Sequence, residues 1–435
     1  MGITRKATFY TSIFFVLSQL LRLSSNLVVA RWLAPDIYAV AAFALIIRQG
    51  IQMMSDVGLS QYILKHEDHR NKEMLDTVWT MQVIRGVIFF TISLVIAYGI
   101  WNLQQINSIS LNGLHSSPQL PVLVAVMSFI CIFDGFKPLS KFIYGREMNV
   151  LKPNLIELIC QFFGCVTMIV WAYLSPSVWA LASAAFVNSF LLSILTWALF
   201  ETRHSFWLSS SIMVEVKNFG KWILLSSALT FVAANADRLF LSALLEADDF
   251  GLYSITLMFI GLATTFFYKL TNSVLLPALS NVRNTSAFGS SFYNVTWVSN
   301  LVVGVATVIG GSLAPYMIKL VYDARYHAIG TMLQYYLPTL ILLSALNLNN
   351  AILMIQNKTK VHFAVMLLRV TSLALILPFL FEMFQLNGVF ISVFLTNLIA
   401  LLAQYYYLYK IKVLRFKFGF FIPALFCVLY VCLIF

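Results

Sequence analysis

The sequence predicts an all-α polytopic membrane protein, with twelve core transmembrane helices in two six-helix lobes and an extra C-terminal helix. Three observations support this prediction: the composition, a succession of long apolar segments, and a similarity between the two halves of the chain. Of the 435 residues, 60% are hydrophobic and only 10% are charged, whereas about 25% is typical of a soluble domain. So few charges cannot cover a soluble surface, which excludes a soluble enzyme, a nucleic-acid-binding module and a disordered chain.

Apolar segments long enough to cross a bilayer, which takes about 20 residues, recur along the whole chain. The connections between them are short, which leaves no room for a separate catalytic domain, and no glycine-rich phosphate-binding loop is present. We therefore expect no enzymatic activity, no cofactor and no metal. The predicted spans are residues 9–30, 37–59, 78–101, 120–140, 154–174, 178–199, 219–245, 251–276, 292–316, 331–355, 361–383, 387–409 and 418–435.

The basic residues of the connections lie mostly on one side of the predicted membrane. The opposite side carries only Arg31, Lys319 and Arg325. Because positive charge is retained on the cytoplasmic side, this asymmetry predicts a cytoplasmic N-terminus. It also accounts for much of the net charge of +11. The eighteen basic residues of the cytoplasmic set are Arg5, Lys6, Lys65, Arg70, Lys72, Lys141, Arg146, Lys152, Arg203, Lys217, Lys221, Arg283, Lys358, Lys360, Lys410, Lys412, Arg415 and Lys417.

The two halves of the chain show a weak internal repeat. Residues Ala34–Tyr38 align with Ala247–Gly251, and in both halves a polar-spotted outward helix precedes the aligned turn. Both halves start from the cytoplasm, so the predicted repeat is parallel. The predicted divisions are an N-lobe at 1–199, a cytoplasmic linker at 200–218, a C-lobe at 219–410, and a basic segment with the extra helix at 411–435.

Three basic residues inside predicted spans are the candidate substrate-binding residues: Arg22, Arg48 and Lys269. Each would cost about 2.5–3.5 kcal/mol at the bilayer centre if it faced lipid. Their neighbours are polar at helical spacing, as in the stripe of Ser18, Arg22 and Ser25, so we expect them to line a hydrated cationic cavity between the lobes. Arg22 and Lys269 have an alternative, because long side chains near helix ends can reach the interface, and Arg22 can also pair with Asp36.

Further polar residues are candidates for the cavity or for ion coupling. Some of them have an alternative structural role. Asp36 and Asp249 can instead cap the helices that follow them. Asp56 can instead pair with Arg48 or lie at the membrane interface. Asp237 and Arg238 either neutralise each other or provide a carboxylate for a coupling cation. The six candidates are Asn26, Asp36, Gln52, Asp56, Asp237 and Arg238.

Other charged residues receive a structural interpretation. One group falls near the cytoplasmic ends of helices 3 to 5 and is expected to form an interfacial charge cluster: Arg85, Asp134, Lys137 and Glu157. Arg369 and Glu382 are expected to be structural. The run His66–His69 is interpreted as a solvated charged loop, since its spacing matches no recognised metal site. The five cysteines lie in apolar runs and suggest neither a metal site nor disulfides.

Several short motifs recur in a characteristic order along the chain. They are Leu33–Tyr38 with Asp56–Leu59, Phe219–Lys221, Asn235–Arg238 with Asp249–Tyr253, and Leu320–Tyr322 with Tyr326, Ala328 and Asn357–Lys360. In these motifs the chain resembles the polysaccharide flippases of the O-antigen type, within the multidrug/oligosaccharidyl-lipid/polysaccharide exporter superfamily. The resemblance covers nearly the whole chain to about residue 410.

The resemblance implies two six-helix lobes around a V-shaped central cavity. It further implies transfer of an undecaprenyl-diphosphate-linked oligosaccharide to the periplasmic leaflet of a bacterial inner membrane, with Arg22, Arg48 and Lys269 on the cavity wall. Expected partners are this glycan, membrane lipid, H⁺ or Na⁺ as coupling ion, and polymerase and chain-length proteins. Three alternatives remain open: a multidrug antiporter of the same fold, a membrane-embedded polysaccharide polymerase or ligase, and a structural scaffold.

Overall fold

The computed structural model describes residues 2–54, 59, 63, 71–105, 113–147, 149–271, 288–356, 358–410 and 422–434. Its regular elements are α-helices and short 3₁₀ turns, with no strand in the part of the chain described. The all-α prediction is therefore confirmed. The helices are α1 Gly2–Val29, α2 Pro35–Met54, α3 Lys72–Gln105, α4 Gln119–Phe136, α5 Ser140–Arg146, α6 Leu151–Leu174, α7 Val178–Leu199, α8 Ser210–Leu241, α9 Ala247–Leu270, α10 Phe288–Val321, α11 Ala328–Tyr336, α12 Pro338–Ile355, α13 Thr359–Phe384, α14 Leu386–Lys410 and α15 Ile422–Ile434.

Several of these helices are long and apolar enough to cross a membrane. Within the described ranges there are 9 such helices, or up to 10 if a bent pair that includes α11 and α12 counts as one span. The bend is 50° and falls at Pro338, whose ring cannot continue the hydrogen bonding of the preceding helix. The polytopic membrane class is therefore confirmed, and the count of twelve core spans stays a prediction.

The residues form two compact units. Unit 1 comprises Met1–Phe231 and Leu241–Gly251, and unit 2 comprises Val232–Phe240 and Leu252–Phe435. The predicted lobe boundaries stay a prediction. One boundary of the predicted linker differs locally, because α8 already begins at Ser210 and not at residue 219.

Residues 201–209, which we call the connecting segment, join α7 to α8 without regular secondary structure. The segment lies against α3, whose side chains accept hydrogen bonds from its backbone. Trp207 N–H donates to Thr80 Oγ1 at 3.0 Å, and Ser209 N–H donates to Thr77 Oγ1 at 3.2 Å. Because buried backbone donors must find partners, these bonds hold the segment to unit 1.

Aromatic packing reinforces the connecting segment. The side chain of His204 is 1% exposed, and its ring stacks on that of Trp79 with 5.7 Å between the ring centroids. In the second turn of α8, which follows the segment, Val216 joins a buried cluster with Trp79, Leu139 and other residues of unit 1. The predicted linker therefore has its first part packed into unit 1.

The predicted extra C-terminal helix is present as α15, in unit 2. Tyr430 Oη donates to the Gln334 carbonyl at 2.8 Å. Two glycines of α10 make room for its rings: a Cβ at Gly304 would lie 2.4 Å from Phe426, and one at Gly311 would lie 2.1 Å from Tyr430. The helix thus packs closely into unit 2, and whether it spans the membrane stays a prediction.

Candidate functional site

Unit 1 contains a cavity of about 300 Å³ among α2, α3, α4, α5, α6 and α7. Its wall combines apolar side chains with charged ones that come from five of these helices and from the turn after α4. Among the described lining residues, four are basic and two are acidic. The charged lining residues are Arg48, Arg85, Lys137, Lys141, Asp134 and Glu157.

Two glycines bring α3 and α4 together beside this cavity. A Cβ at Gly86 would lie 2.7 Å from the Cys131 carbonyl oxygen, and one at Gly135 would lie 3.2 Å from Gly86 Cα. The absence of both side chains permits this close approach. Asp134, which follows Cys131 on α4, and Arg85 of α3 both line the cavity beside this contact.

Buried Gln82 fixes the C-terminal end of α4. Its Nε2 donates to the carbonyls of Asp134, Gly135 and Lys137 at 3.2, 2.9 and 2.9 Å. The last carbonyls of a helix have no partner within the helix, so this side chain satisfies groups that burial would otherwise leave unpaired. The side chains of Asp134 and Lys137 are thereby held at the cavity wall.

Both acidic residues of the wall are paired with lysines. Lys137 Nζ lies 2.5 Å from Asp134 Oδ1, which also accepts a hydrogen bond from Ser189 Oγ at 2.6 Å. Lys141 forms an ion pair with Glu157. Neither carboxylate is therefore available as the principal partner of a further cation.

Arg48 has a neutral partner in this cavity. Its Nη1 donates to Gln52 Oε1 at 3.2 Å, and its Nε is buried without a hydrogen-bond partner among the described residues. A guanidinium with N–H donors in reserve is suited to bind an oxyanion, which it can engage through two parallel hydrogen bonds. Arg48 and Gln52, both predicted from the sequence, thus lie on one cavity wall.

The polar stripe of α1 packs partly against α6. Ser18 Oγ donates to Gln161 Oε1 at 2.5 Å, Gln161 returns a hydrogen bond to the Ser18 carbonyl, and Ser25 contacts Cys165 Sγ at 3.4 Å. Arg22 is exposed on α1 and does not line the unit 1 cavity. Asn26 donates to the Arg22 carbonyl at 2.8 Å, so these two residues are placed on α1 away from Arg48's cavity wall.

The remaining candidates occupy separate places. Lys269 is half-buried in the last turn of α9, in unit 2. Asp56 and the run His66–His69 lie outside the described residues. Within the described part of the chain, no group of three His, Cys, Asp or Glu side chains could hold a metal ion.

The turn that contains Asp36 contacts its predicted repeat equivalent. The backbone N–H of Asp36, in the first turn of α2, donates to Asp248 Oδ1 at 3.1 Å. Asp248 therefore supplies a carboxylate to the first turn of α2, where capping by Asp36 was one of the two roles that the sequence left open. Gly251 packs on Pro35, since a Cβ there would lie 1.9 Å from the Pro35 carbonyl oxygen.

Asp237 is buried in unit 2, with 6% of its surface exposed. The Tyr253 hydroxyl donates to its Oδ2 at 2.5 Å. Arg238 follows it on α8, and Arg369 on α13 lies within electrostatic range of Asp237. The carboxylate predicted for ion coupling thus accepts a hydrogen bond from a tyrosine and interacts at longer range with Arg369.

Sequence reasoning missed several residues of the unit 1 cavity. Arg85, Asp134, Lys137 and Glu157 were interpreted as an interfacial cluster, yet they line the cavity together with Arg48. The sequence did contain one indication of this. All four residues fall near the predicted cytoplasmic ends of α3, α4 and α6, and residues at one depth of a helix bundle can line the same cavity. Lys141 was counted only as a topology signal.

The fold is shared with solved transporter structures. The chain superposes on the lipid II flippase MurJ in an inward closed conformation with a TM-score of 0.72 and 15% identity, covering 97% of each chain. It also matches an inward-facing multidrug resistance MATE family transporter of the MOP superfamily, with a TM-score of 0.64 and 15% identity over 91% of this chain and 98% of the transporter. At this identity the likeness establishes the fold alone.

Sequence comparison identifies the family. The succinoglycan biosynthesis transport protein ExoT of Rhizobium meliloti (strain 1021) is 22% identical over 59% of this chain. The match spans 48% of that relative, so the chain corresponds to about half of its length. The family model described as polysaccharide biosynthesis protein matches residues 28–331, well over half of the chain. The protein therefore belongs to the polysaccharide biosynthesis protein family.

Proposed function

We propose that the protein moves an undecaprenyl-diphosphate-linked oligosaccharide, a repeat unit of O-antigen or another surface polysaccharide, across the bacterial inner membrane. The cargo enters from the cytoplasmic leaflet and leaves in the periplasmic leaflet. Family membership and the transporter fold support transport as the activity. The chemistry of the unit 1 cavity supports an anionic cargo.

The observation that carries this proposal is the environment of Arg48. Its guanidinium lies on a cavity wall, it donates to the neutral amide of Gln52, and its Nε has no hydrogen-bond partner among the described residues. A diphosphate presents several strong acceptor oxygens, and guanidinium groups bind such oxygens in a fixed planar geometry. Arg48 is therefore the proposed phosphate-binding residue.

The membrane potential favours the proposed direction of transport. In the proposed topology the basic connections and the N-terminus lie in the cytoplasm. The potential is negative on that side, and it therefore acts outward on an anionic headgroup. This contributes about 2.3 kcal/mol per charge per 100 mV. Entry of H⁺ or Na⁺ is the proposed additional driving force.

Alternating access is the proposed mechanism, with two lobes that expose a binding site first to one side and then to the other. Arg22 and Lys269 are proposed as further basic residues along this route, and Asn26 as a polar contact for the sugar. The lipid tail stays in the bilayer while the headgroup passes. Polymerase and chain-length proteins are the proposed users of the exported units.

The fold likeness to a MATE transporter makes export of cationic drugs the second candidate function. A site for a cationic drug is expected to favour carboxylates that are free to pair with the drug. Among the described lining residues both acids, Asp134 and Glu157, already pair with lysines. The cavity of unit 1 therefore favours an anionic cargo over a cationic one.

Polysaccharide export in a strain that depends on this chain tests the proposal. Arg48→Ala should abolish export at an unchanged level of protein in the membrane, whereas Arg48→Lys, which keeps the charge, should retain part of it. The matched control is Arg325→Ala, since Arg325 is exposed and pairs with Asp323. Wild-type export by Arg48→Ala would overturn the proposal, and drug efflux without any export would favour the second candidate.

Cys131 provides a direct binding assay for the same cavity. It lines the cavity and is partly exposed, whereas the described cysteines Cys160, Cys165 and Cys427 are buried. Farnesyl diphosphate should slow modification of Cys131 by a charged thiol reagent in the wild type but not in Arg48→Gln. Equal protection in both proteins would contradict the role of Arg48.

A further inference from the structure

A group of charged and phenolic side chains lies together inside unit 2, apart from the cavity of unit 1. Asp237 and Arg238 come from α8, Tyr253 from α9, Tyr336 from α11 and Arg369 from α13. The charge of Asp237 acts on both tyrosines and on Arg369, and Arg238 acts on the same two tyrosines. The parts of these four helices that belong to unit 2 therefore bring the five residues within electrostatic range.

The carboxylate in this group does not form a direct ion pair with either arginine. Its Oδ2 accepts the Tyr253 hydroxyl at 2.5 Å. Among the described residues, no ion pair within 4.0 Å joins Asp237 to Arg238 or Arg369. Asp237 thus offsets part of the positive charge at a distance, while the guanidinium N–H groups keep their donor capacity.

The charge of the group is not balanced within unit 2. The sequence of unit 2 contains three acidic residues, Asp237, Asp323 and Glu382. Asp323 pairs with Arg325 at the surface. Glu382 is exposed and lies thirteen residues beyond Arg369 on α13, about 20 Å along the helix axis. Two guanidinium groups therefore face one buried carboxylate.

The surplus positive charge of the two arginines is energetically unfavourable, because the helices around it are apolar. α9 and α13 are both long and apolar enough to span the membrane. Arg238 Nε is buried without a hydrogen-bond partner in the described part of the chain. A charge or a donor left unmatched in such an environment costs free energy that a bound ligand of opposite charge recovers.

We propose that Arg238 and Arg369 form a second anion-binding site, within unit 2, for an oxyanion of the phosphate class. Guanidinium groups suit phosphate because their N–H donors match two phosphate oxygens at once. The same two charges repel a metal cation, so Asp237 acts as a partial counter-charge and not as a cation ligand. Arg369, interpreted from the sequence as structural, becomes a binding residue.

The identity of the bound phosphate rests on the function proposed above: if the protein moves a lipid-linked oligosaccharide, the phosphate is the diphosphate of that cargo. An anionic phospholipid headgroup offers the same chemistry, as does free pyrophosphate. The experiment therefore uses the full chain in phosphatidylcholine nanodiscs. Binding is measured separately for farnesyl diphosphate, for inorganic pyrophosphate, and after addition of phosphatidylglycerol.

Wild-type protein should bind two equivalents of farnesyl diphosphate, and Arg48→Gln should leave one. In that background, Arg369→Gln and Arg238→Gln should each weaken the remaining site about tenfold to a hundredfold, the range for charged hydrogen bonds. Arg369→Lys should restore part of the affinity. Arg325→Gln, the matched control in unit 2, should bind like its parent.

A substitution that is expected to strengthen binding distinguishes a binding role of this group from a purely structural one. Asp237→Asn removes the competing carboxylate and should tighten anion binding, whereas a variant that only disturbed the fold would weaken it. Unchanged isotherms for Arg369→Gln and Arg238→Gln would overturn the site. Binding seen only with phosphatidylglycerol would assign the site to a lipid headgroup and overturn its assignment to the cargo.

The two proposals can fail separately. If the wild-type chain binds pyrophosphate through Arg369 but does not support polysaccharide export, the proposed function is wrong and the anion site remains. If export requires Arg48 while Arg369→Gln and Arg238→Gln bind and export normally, the second site alone is wrong.

Discussion

The carboxylate of Asp76 accepts two hydrogen bonds from Ser205, one from the backbone N–H at 3.1 Å and one from Oγ at 2.6 Å. Asp76 is buried near the start of α3, and Ser205 is in the middle of the connecting segment. The two residues are 129 positions apart in the chain. Their contact fastens the segment that was predicted to be a simple linker.

Removing the Asp76 carboxylate should release the connecting segment. Asp76→Ala removes both hydrogen bonds between Ser205 and the carboxylate, and we expect a loss of about 1–3 kcal/mol in local stability. Trypsin should then cleave faster after Arg203, and hydrogen exchange at residues 201–209 should accelerate. Glu73→Ala is the control, because Glu73 is exposed on the same helix; equal cleavage of both variants would contradict the role of the contact.

The connecting segment should also respond to acid through His204. Burial lowers the pKa of His204 below its ordinary value, although the carboxylate of Asp76 acts in the opposite direction. His204 Nε2 accepts a hydrogen bond from Leu139 N–H at 3.1 Å, so a proton on Nε2 would face another donor. Because the pKa is lower in the folded state, the stabilisation is present above about pH 6.5 and is lost as the pH falls below that value.

Tryptic cleavage after Arg203 should therefore accelerate between about pH 7.5 and 5.5, after correction for the pH dependence of trypsin on an unfolded peptide. His204→Gln cannot titrate in this range, and its corrected cleavage rate should be flat. A flat profile for the wild type would show that His204 does not control the segment.

The ion pair at the rim of the unit 1 cavity should affect binding more than stability. The side chains of Lys141 and Glu157 are 60% and 36% exposed, and such pairs contribute about 0–1 kcal/mol. Glu157→Gln leaves Lys141 without its counter-charge and should tighten farnesyl diphosphate binding by roughly up to fivefold. The control is Glu382→Gln, and weaker binding by Glu157→Gln would contradict an anionic ligand.

Gly251 should tolerate no side chain where it meets Pro35. A Cβ there would lie 1.9 Å from a backbone carbonyl oxygen, and overpacking of this kind costs about 1–3 kcal/mol. Gly251→Ala should lower the melting temperature and the yield of folded protein. Gly261→Ala on the same helix meets open space and should be neutral or stabilising; similar losses in both variants would refute the specific contact.

Much of the architecture could be predicted from the sequence because the bilayer imposes a simple length rule on apolar helices. A similar rule led to Arg48, since a charge in a span must face something polar; the structure places it on a cavity wall, and its binding role stays a prediction. These rules do not determine the rotation of each helix about its axis, and so they do not determine which neighbour each face contacts. Ser18 and Ser25, which looked like cavity residues, pack against α6.

Contacts between distant segments could not be predicted. Glu157 was predicted to belong to an interfacial charge cluster with Asp134 and Lys137, and only the structure shows that its ion-pair partner is Lys141 of α5. Arg369 is 132 positions from Asp237, and the sequence contains no local pattern that links them. The connecting segment resembled a linker because its partners on α3 are single polar residues among apolar ones.

The connecting segment has a backbone register, as a β-strand does. Its N–H groups at Ser205, Trp207 and Ser209 point to α3, where Asp76, Thr80 and Thr77 receive them. Alternate residues of an extended chain face opposite sides, so a one-residue insertion would turn these donors away from their acceptors. Surface loops generally tolerate changes in length. This loop fixes the spacing between the end of α7 and the start of α8, and its length is part of the structure.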